Sequence, residues 1–396
     1  MASSSFEFLD FDNTEIAFSY KSDKELLHMY RLFKLMNNRS VVSLGSIMTP
    51  IAFKLHLPFF KTILRSTIFK QFVGGESLMD TQKVIDLLFK YNTLTILDYG
   101  AEAKSTEEDI DAVVEETITA IELAASNNSV PVISTKVTGL ADNALLTKMQ
   151  TGEALSPEEE IQKVKLIDRL DKICKTAYDF NVGVMVDAEE SWLQGSIDQL
   201  VDQMMEAYNK KSVIVFNTFQ LYRNDKLDFL KSSFEKAKER NYLLGAKLVR
   251  GAYMDKERDY AAENNNPTLI NSSKENTDIE YNKALAFCVD NYENISSVCA
   301  SHNTKSNMLL AQLIEKCSIT KSHPHLNFCQ LYGMSDNLTF NLAKAGYNVA
   351  KYVPYGPIKE VIPYLIRRAK ENTSVTDDMS RELSFIHNEL KRRKSS

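Results

Sequence analysis

One segment near the carboxyl end carries two adjacent arginines at a spacing that suits anion binding. Tyr364, Arg367 and Arg368 stand at i, i+3 and i+4, so in a helix they share one face, which Glu371 continues. Guanidinium groups bind carboxylates or phosphates through two parallel hydrogen bonds. The same pattern is also typical of a solvated basic face at the end of a helix. The residues alone leave both interpretations open.

Other candidates for chemistry are an acidic cluster, a histidine and two lysines. Asp187, with two glutamates close behind it, has the groups for acid–base work or for holding a divalent ion. Lys136 and Lys247 have the amines for Schiff bases, or act as fixed cations. His302 is the only histidine expected at the end of a strand. Each of these residues taken singly is more often structural than catalytic.

These residues follow short apolar segments that alternate with longer amphipathic ones. The β-type segments are residues 93–99, 130–137, 182–186, 213–217, 246–249, 296–300, 326–329 and 349–352. Helical patterns between them include 107–125, 157–179, 197–209 and 226–241. Eight repeats of strand and helix predict an α/β fold, a (β/α)₈ TIM-like barrel with additional N-terminal helices.

The pattern also predicts how the chain is organised. We expect a helical segment over residues 1–90 packed on the barrel, the barrel over 91–380, and a C-terminal helix with a basic tail over 381–396. Residues 264–276 are polar and rich in asparagine, which predicts a long loop that orders only when a ligand binds. Residues 391–394 are basic and are expected to be solvated.

In such a barrel the functional groups collect where the strands end. Every predicted strand ends in, or is followed by, polar residues: Asp98, Lys136, Asp187, Asn217, Gln220, Arg250, Tyr253, Ser301, His302, Asn303, Gln330 and Tyr352. A barrel with only a structural role would not be expected to show this at all eight strands. The sequence therefore predicts a site at this end of the barrel.

Composition excludes several classes of function. The net charge of −6 disfavours a nucleic-acid partner. No G-x-G pair occurs, so the Rossmann and P-loop motifs are absent, and the H-x-H of His323 and His325 lacks supporting metal ligands. The five cysteines form no C-x-x-C pair, which indicates reduced thiols. Residues 48–72 are apolar and basic and are broken by Pro58, which is typical of a membrane-surface segment or of helices packed on the barrel.

Eight motifs occur in a fixed order within residues 70–375. They are FVGGE (72–76), VMVDAEE (184–190), FNTFQLY (216–222), KLVRGAYM (247–254), ASHN (300–303), FCQLYGM (328–334), KYVPYGP (351–357) and YLIRRAKEN (364–372). On these motifs the chain resembles the proline dehydrogenase (proline oxidase) family. The resemblance implies a distorted (β/α)₈ barrel whose last helix lies over the barrel end. It also implies FAD-dependent oxidation of L-proline to Δ1-pyrroline-5-carboxylate, by hydride transfer from C5 to flavin N5.

The resemblance also implies roles for individual residues. Arg367 and Arg368 would pair with the substrate carboxylate, assisted by Lys136, which Asp187 orients. The residues around the substrate ring would be Leu331, Tyr352 and Tyr364, and Tyr253 would also belong to the substrate site. Glu102 would close the site by pairing with Arg367. The positions that match FAD contacts are Ala188, Gln220, Lys247, Val249, Gly251, Tyr253, Ser301, His302, Gln330, Arg368 and Glu371.

Three departures from the family pattern bear on function. Lys247 stands where many bacterial members have arginine, so the charge remains but the planar fork is lost. Met254 stands where many have tryptophan. The DNA-binding and aldehyde-dehydrogenase regions of bifunctional relatives are missing, so we expect a monofunctional enzyme served by a separate pyrroline-5-carboxylate dehydrogenase. The family usually passes its electrons to a membrane quinone.

Alternatives remain at the level of sequence. A hydroxyproline dehydrogenase would use the same chemistry, although Tyr352 favours proline because relatives that prefer hydroxyproline tend to have a smaller residue there. A Schiff-base lyase using Lys136 or Lys247 and a non-catalytic binder of flavin or amino acid are the alternatives of other classes. We expect a cytoplasmic protein, in peripheral contact with the inner membrane, or a mitochondrial one if the source is eukaryotic.

Overall fold

Eight parallel strands close into a barrel in a computed structural model that describes residues 9–54, 60–100, 106–374 and 376–395. Each strand pairs with the next one along the chain, and β1 closes the barrel by pairing with β8 in the register Leu94↔Ala350. The strands are β1 Leu94–Tyr99, β2 Val132–Thr135, β3 Gly183–Val186, β4 Val215–Gln220, β5 Leu244–Val249, β6 Ile295–Ala300, β7 Leu326–Leu331 and β8 Val349–Tyr355. All eight predicted strands are present, and the predicted fold class is confirmed.

The strands are apolar on both faces because both faces are covered. Ile96, Met185, Phe216 and Val298 fill the barrel interior together with the ring of Tyr352. The outer faces pack against the surrounding helices in one large buried cluster. The interior therefore forms a packed floor beneath the strand ends, where the polar residues begin.

Helices cover the outside of the barrel between successive strands. They are α7 Glu107–Ala125, α8 Asn143–Thr151, α9 Pro157–Phe180, α10 Ser191–Tyr208, α11 Lys226–Glu239, α12 Met254–Glu263, α13 Lys274–Asp290, α14 Thr304–Lys316 and α15 Asp336–Lys344. Their ends carry the expected local signals. In α9, for example, Ser156 and Glu159 form a capping box and Pro157 takes the first turn.

Further helices precede and follow the barrel and pack on each other. Before β1 come α1 Thr14–Phe18, α2 Asp23–Met36, α3 Arg39–Lys54, α4 Phe60–Leu64, a π-helical turn Arg65–Phe69, α5 Lys70–Phe72, a 3₁₀ turn Met79–Thr81 and α6 Gln82–Lys90. After β8 come α16 Ile358–Ser374 and α17 Thr376–Ser395. A second buried cluster joins Phe18, Phe33 and Phe72 to Tyr364 of α16 and Ile386 of α17. Both ends of the chain therefore support α16, the helix that carries the paired arginines.

The predicted extent of one loop is wrong in part. The predicted loop at residues 264–276 ends earlier, because α13 begins at Lys274 after its N-cap Ser273. Within its remaining residues, Ile270 forms a β-bridge with Arg223, and the Asn271 N–H donates to the carbonyl of Tyr222 at 2.7 Å.

The basic tail is also less solvated than predicted. It forms the last turns of α17, where Arg393 donates to the carbonyls of Phe18 and Lys21 and to the carboxylates of Asp23 and Glu389. The tail is basic because it ties α17 to the N-terminal helices, a long-range contact that no local pattern reveals.

Candidate active site

A cavity of about 330 Å³ opens at the carboxyl ends of the strands. Every strand, or the loop after it, contributes to its wall, and α16 lies over it with Tyr364, Arg367 and Arg368. Parallel strands present their carboxyl ends on one face of a barrel, which explains why residues far apart in sequence meet here. This is the end of the barrel at which the sequence predicts a site.

Most of the predicted site residues line this one cavity. They are Lys136, Asp187, Ala188, Gln220, Lys247, Val249, Gly251, Tyr253, Ser301, His302, Leu331, Tyr352, Tyr364, Arg367 and Arg368. Glu102 lies outside the described residues, and so does the side chain of Glu371.

Gln330 is a predicted site residue that lies behind the wall instead of in it. Its amide nitrogen donates to the Ser301 carbonyl at 3.2 Å and to Asn307 Oδ1 at 3.1 Å, and its carbonyl accepts from Thr339 at 2.8 Å. These bonds join β6, β7 and the two helices that follow them. Gln330 therefore supports the wall at Ser301.

Asp187 is the centre of a buried set of alternating charges. Its Oδ1 accepts from Lys247 Nζ at 2.5 Å and its Oδ2 lies 3.4 Å from Lys136 Nζ. Lys136 Nζ also pairs with Asp98, whose Oδ1 lies 3.1 Å away. All four side chains are nearly or fully enclosed, with exposed fractions of 14% or less. Two carboxylates thus balance two lysines at the bottom of the cavity.

Neutral hydroxyl groups complete the shell of Asp187. Tyr352 donates its hydroxyl to Oδ2 at 2.6 Å, and Ser134 donates to Oδ1 at 3.0 Å. Burial opposes ionisation of Asp187, but Lys247, Lys136 and these hydrogen bonds outweigh it and hold its pKa well below the usual range. Asp187 is therefore ionised at neutral pH and fixes the orientation of Tyr352.

Helix α16 places its positively charged side chains over the cavity. Tyr364 and Arg368 are each 8% exposed, and the Arg368 guanidinium lies 5.4 Å from the centre of the Tyr364 ring, within cation–π range. The i, i+4 spacing noted in the sequence places them on the face of α16 that looks into the cavity. The anion-binding interpretation is thereby favoured over the solvated basic face.

A second cationic region lies on the side of the cavity formed by β5 and β6. Arg250 lines it and is held by Asp278, Ser301 and Ser306 at 2.6–2.9 Å. Lys274 begins α13 and Asn303 caps α14, so two helix N-termini reach the same wall. Helix N-termini and arginines attract anions, so this donor set fits a cofactor that carries a diphosphate.

Gly251 brings the backbone close to that region. Its φ of +135° is strained for other residues, and a Cβ there would lie 2.5 Å from the Tyr222 ring. Glycine is therefore required both for its φ and for the close approach of Tyr222. The cavity wall next to Arg250 consists there of backbone without a side chain. Gly251 lines the cavity, and its assignment to a cofactor site stays a prediction.

Sequence reasoning assigned no role to three charged residues that line the cavity. Asp98 and Arg250 were visible as polar residues at strand ends, which was the signal for both. Lys274 gave no signal, because its segment is typical of a loop. Its place in the wall depends on where α13 begins.

Glu189 is a buried acid that follows Ala188, a residue of the cavity wall. Its carboxylate accepts from the N–H of Thr138 at 3.1 Å and from the Thr138 hydroxyl at 2.5 Å. Burial raises the pKa of Glu189 to about 7. The folded protein therefore keeps a proton that the unfolded chain releases between about pH 4.5 and 7.

This proton makes stability fall as the pH rises. Glu189→Gln removes this pH dependence. The free energy of unfolding of the variant, relative to that of wild type, should therefore rise by about 2 kcal/mol between pH 5 and pH 8. Urea unfolding at the two pH values measures the change. Glu239→Gln, on the exposed side of α11, is the matched control for loss of one carboxylate. A difference that stays constant with pH would contradict the assignment.

Comparisons with known proteins show which family this chain is similar to. A family model described as "Proline dehydrogenase" matches residues 81–381. The chain is 32% identical to "Proline dehydrogenase 1, mitochondrial" of Dictyostelium discoideum, over 97% of this chain and 75% of that one. It is 28% identical to "Hydroxyproline dehydrogenase" of Xenopus laevis, over 95% and 88% of the two chains.

A solved structure shares the fold. Proline utilization A from Bdellovibrio bacteriovorus superposes with a TM-score of 0.73 at 22% identity, over 91% of this chain. The chain spans 38% of that longer protein. Because the family model covers most of the chain and the Dictyostelium relative matches nearly all of it, the chain belongs to the proline dehydrogenase family, oxidoreductases that act on CH–NH donors.

Proposed function

We propose that this chain oxidises L-proline to Δ1-pyrroline-5-carboxylate with FAD as cofactor, the first step of proline catabolism. The observation that carries the proposal is the meeting, in one cavity, of paired arginines and an aromatic pocket. Arg367 and Arg368 come from α16, and Tyr352, Tyr364 and Leu331 line the same space. A cyclic amino acid needs both features, a cationic clamp for its carboxylate and an apolar wall for its ring.

The carboxylate clamp sets the position of the substrate. Arg368 and Arg367 bind the carboxylate from above, and Lys136 contributes positive charge from the barrel floor. Asp98 and Asp187 hold Lys136 in place from two sides. With the carboxylate fixed, the ring has one orientation against Tyr352 and Leu331, which reduces the entropy cost of reaction.

The charges around the cavity also act on the substrate amine. Loss of hydride from C5 requires the nitrogen lone pair, so the amine must be neutral at that moment. Cationic side chains near a bound amine disfavour its protonated form. Arg367, Arg368 and Lys136 therefore favour the reactive form of proline while they bind its carboxylate.

The proposed site of FAD is the cationic region on the side of the cavity formed by β5 and β6. Arg250 and the starts of α13 and α14 would hold the diphosphate, while Lys247, Val249 and His302 would contact the ring system. When bound, FAD supplies the acceptor for the hydride that leaves C5. The electrons then pass to a quinone, and a separate pyrroline-5-carboxylate dehydrogenase takes the product.

An absorbance spectrum tests this function directly. Purified protein should show flavin bands at about 450 nm that bleach when L-proline is added without oxygen. Bands that do not bleach would overturn proline as substrate, and trans-4-hydroxyproline is then the next compound to test. A protein that neither contains nor takes up FAD would overturn the proposal.

Hydroxyproline is the second candidate substrate, and Tyr352 separates the two. Its ring fills the space beside the substrate pocket, and its hydroxyl is bound to Asp187 and Ser134. Tyr352→Ser should raise the ratio of kcat/KM for hydroxyproline over proline about tenfold, because it opens room for the extra hydroxyl. Absolute rates should fall, since Asp187 loses a donor.

Tyr352→Phe is the control for this experiment. It keeps the bulk of the ring and removes only the hydroxyl, so the substrate ratio should stay near that of wild type. Steady-state kinetics with both substrates give the comparison. An unchanged ratio in Tyr352→Ser would reject the steric account.

The Schiff-base alternative is disfavoured by the ion pairs. Lys247 is bound to Asp187, and Lys136 is shared between Asp98 and Asp187. A lysine that forms a Schiff base must be a neutral nucleophile, whereas these contacts bind ammonium groups. Borohydride trapping of a carbonyl substrate on the enzyme would reverse this conclusion.

The proposed quinone acceptor requires access to a membrane, and α3 offers a surface for it. Among the described helices, none combines the length and the apolar character needed to cross a bilayer. On one side of α3, however, Val41, Leu44, Ile47 and Met48 are 38–62% exposed. Residues 26–75 contain seven Lys and Arg and no Asp or Glu, although the whole chain has a net charge of −6. This combination suits peripheral contact with anionic lipid, whether at a bacterial inner membrane or in mitochondria.

Vesicle binding tests the α3 surface. Leu44→Glu with Ile47→Glu should weaken co-sedimentation with phosphatidylglycerol-containing vesicles about tenfold, because two exposed apolar contacts are lost. Val164→Glu, at another exposed apolar position on α9, is the matched control. Equal binding by the two variants would contradict the proposal.

A further inference from the structure

The loop between β7 and α15, residues 332–335, is held by helices from both ends of the chain. Gln71 of α5 donates from Nε2 to the carbonyl of Gly333 at 2.7 Å. Glu382 of α17 accepts from the N–H of Ser335 at 2.6 Å, and its side chain is 4% exposed. Elements outside the barrel therefore fix the loop that follows Leu331, a residue of the cavity wall.

Ser335 departs from two local preferences in this loop. It precedes α15, where a serine normally has an extended backbone and accepts a hydrogen bond from the first turn. Its backbone is instead left-handed, with φ 50° and ψ 43°, and its side chain makes no capping bond. A left-handed conformation costs a serine on the order of 1 kcal/mol. Tertiary contacts must therefore impose this arrangement.

In this conformation the Ser335 side chain reaches His302. Ser335 Oγ lies 2.8 Å from His302 Nδ1, and Arg381 of α17 donates to the His302 carbonyl at 3.1 Å. His302 lines the cavity. Burial, together with the positive charges of Lys351 and three arginines, lowers the pKa of His302 to about 3, so the ring is neutral. A neutral imidazole carries one N–H, so the hydrogen bond at Nδ1 decides whether Nε2 is a hydrogen-bond donor or an acceptor toward the cavity.

We propose that Ser335, held in place by Glu382, is a positioning residue that sets the orientation and tautomer of His302 toward the flavin. The proposal rests on the proposed function, because it takes the cavity at His302 to be the FAD site. It gives α17, which lies outside the barrel, a part in cofactor binding. The role depends on two hydrogen bonds, the one that the Ser335 N–H donates to Glu382 and the one between Ser335 Oγ and His302 Nδ1.

Ser335→Gly separates positioning from a merely structural role. Glycine adopts a left-handed backbone without strain, and this relief offsets the lost hydrogen bond, so the stability of the variant should stay close to that of wild type. It nevertheless lacks the hydroxyl that binds His302. We expect the ¹⁵N signals of the His302 ring to change and the Kd for FAD to rise about tenfold. A structural role alone predicts unchanged signals and unchanged affinity.

Ser318→Gly is the matched control. Ser318 is also a left-handed serine, with φ 56°, but it is exposed and follows α14 at the opposite end of β7 from the cavity. Ser318→Gly should relieve the same backbone strain without changing the ¹⁵N signals of His302 or the Kd for FAD. Glu382→Gln, which keeps a carbonyl acceptor for the Ser335 N–H, should resemble wild type, and Glu382→Ala should shift His302 as Ser335→Gly does.

The readouts distinguish the two proposals. FAD binding of equal strength in wild type and Ser335→Gly, with unchanged His302 signals, would overturn the positioning role and leave the proposed function intact. Absence of FAD binding in wild type would overturn the function, whereas the ¹⁵N signals of the apoprotein still test the hydrogen bond between Ser335 and His302.

Discussion

Replacing Arg368 with methionine should lower kcat/KM for L-proline about a thousandfold, because a buried charge-assisted contact of this type is worth several kcal/mol. Arg368 is 8% exposed and lines the cavity beside Tyr364. A carboxylate drawn into this space without its guanidinium partner would lose water and gain little in return. Steady-state kinetics over a wide range of proline concentrations should place most of the loss in KM, as expected for a group that binds the ground state and the transition state alike.

Arg368→Lys is the informative control for this loss. Lysine keeps the positive charge but cannot donate two parallel hydrogen bonds, so it should recover only part of the activity. Full recovery would show that charge alone suffices and that the paired geometry has no role. A near-normal kcat/KM in Arg368→Met would place the carboxylate elsewhere in the cavity.

Replacing Asp187 with asparagine should lower the free energy of unfolding by about 3 kcal/mol, since it leaves a buried cation without its partner. Lys247 has an exposed fraction of 7% and bonds to Asp187 at 2.5 Å. Lys136 is affected less, because Asp98 remains as its second carboxylate. Denaturant unfolding of the flavin-free protein measures the change, and flavin content after purification should fall with it.

Ser134→Ala provides the comparison for Asp187→Asn. It removes one hydrogen bond that a neutral hydroxyl donates to the same carboxylate and leaves both ion pairs in place, so it should cost less, about 1.5 kcal/mol. If the two variants were equally stable, the alternating charges would be unimportant and Asp187 would serve only as a hydrogen-bond acceptor.

Local pattern was enough to predict the barrel. Each strand is a short apolar run and each helix an amphipathic one, and both features depend on neighbours within a few residues. All eight strands were therefore found, and α7 was predicted with its observed bounds, Glu107–Ala125. Because strand ends of such a barrel must meet on one face, the polar residues that follow the strands were also predicted to form one site.

Pairing between distant residues could not be predicted in this way. Asp187 and Lys247 are 60 residues apart, and Asp187 and Tyr352 are 165 apart, so no local pattern links them. Gln330 follows the same strand-end rule as its neighbours, yet its amide is taken up by Ser301, Asn307 and Thr339 behind the wall. Which way a side chain turns depends on partners that only folding brings near.

By itself, the sequence determined the kind of barrel, the end at which the site forms and the family motifs that line it. The tertiary structure decided which carboxylate holds which lysine, that the basic tail binds the N-terminal helices, and that Ser335 is left-handed to reach His302. The physical reason is the range of the interactions. Periodicity and turn chemistry act over a few residues, whereas ion pairs, buried hydrogen bonds and strained backbone are decided by contacts across the whole chain.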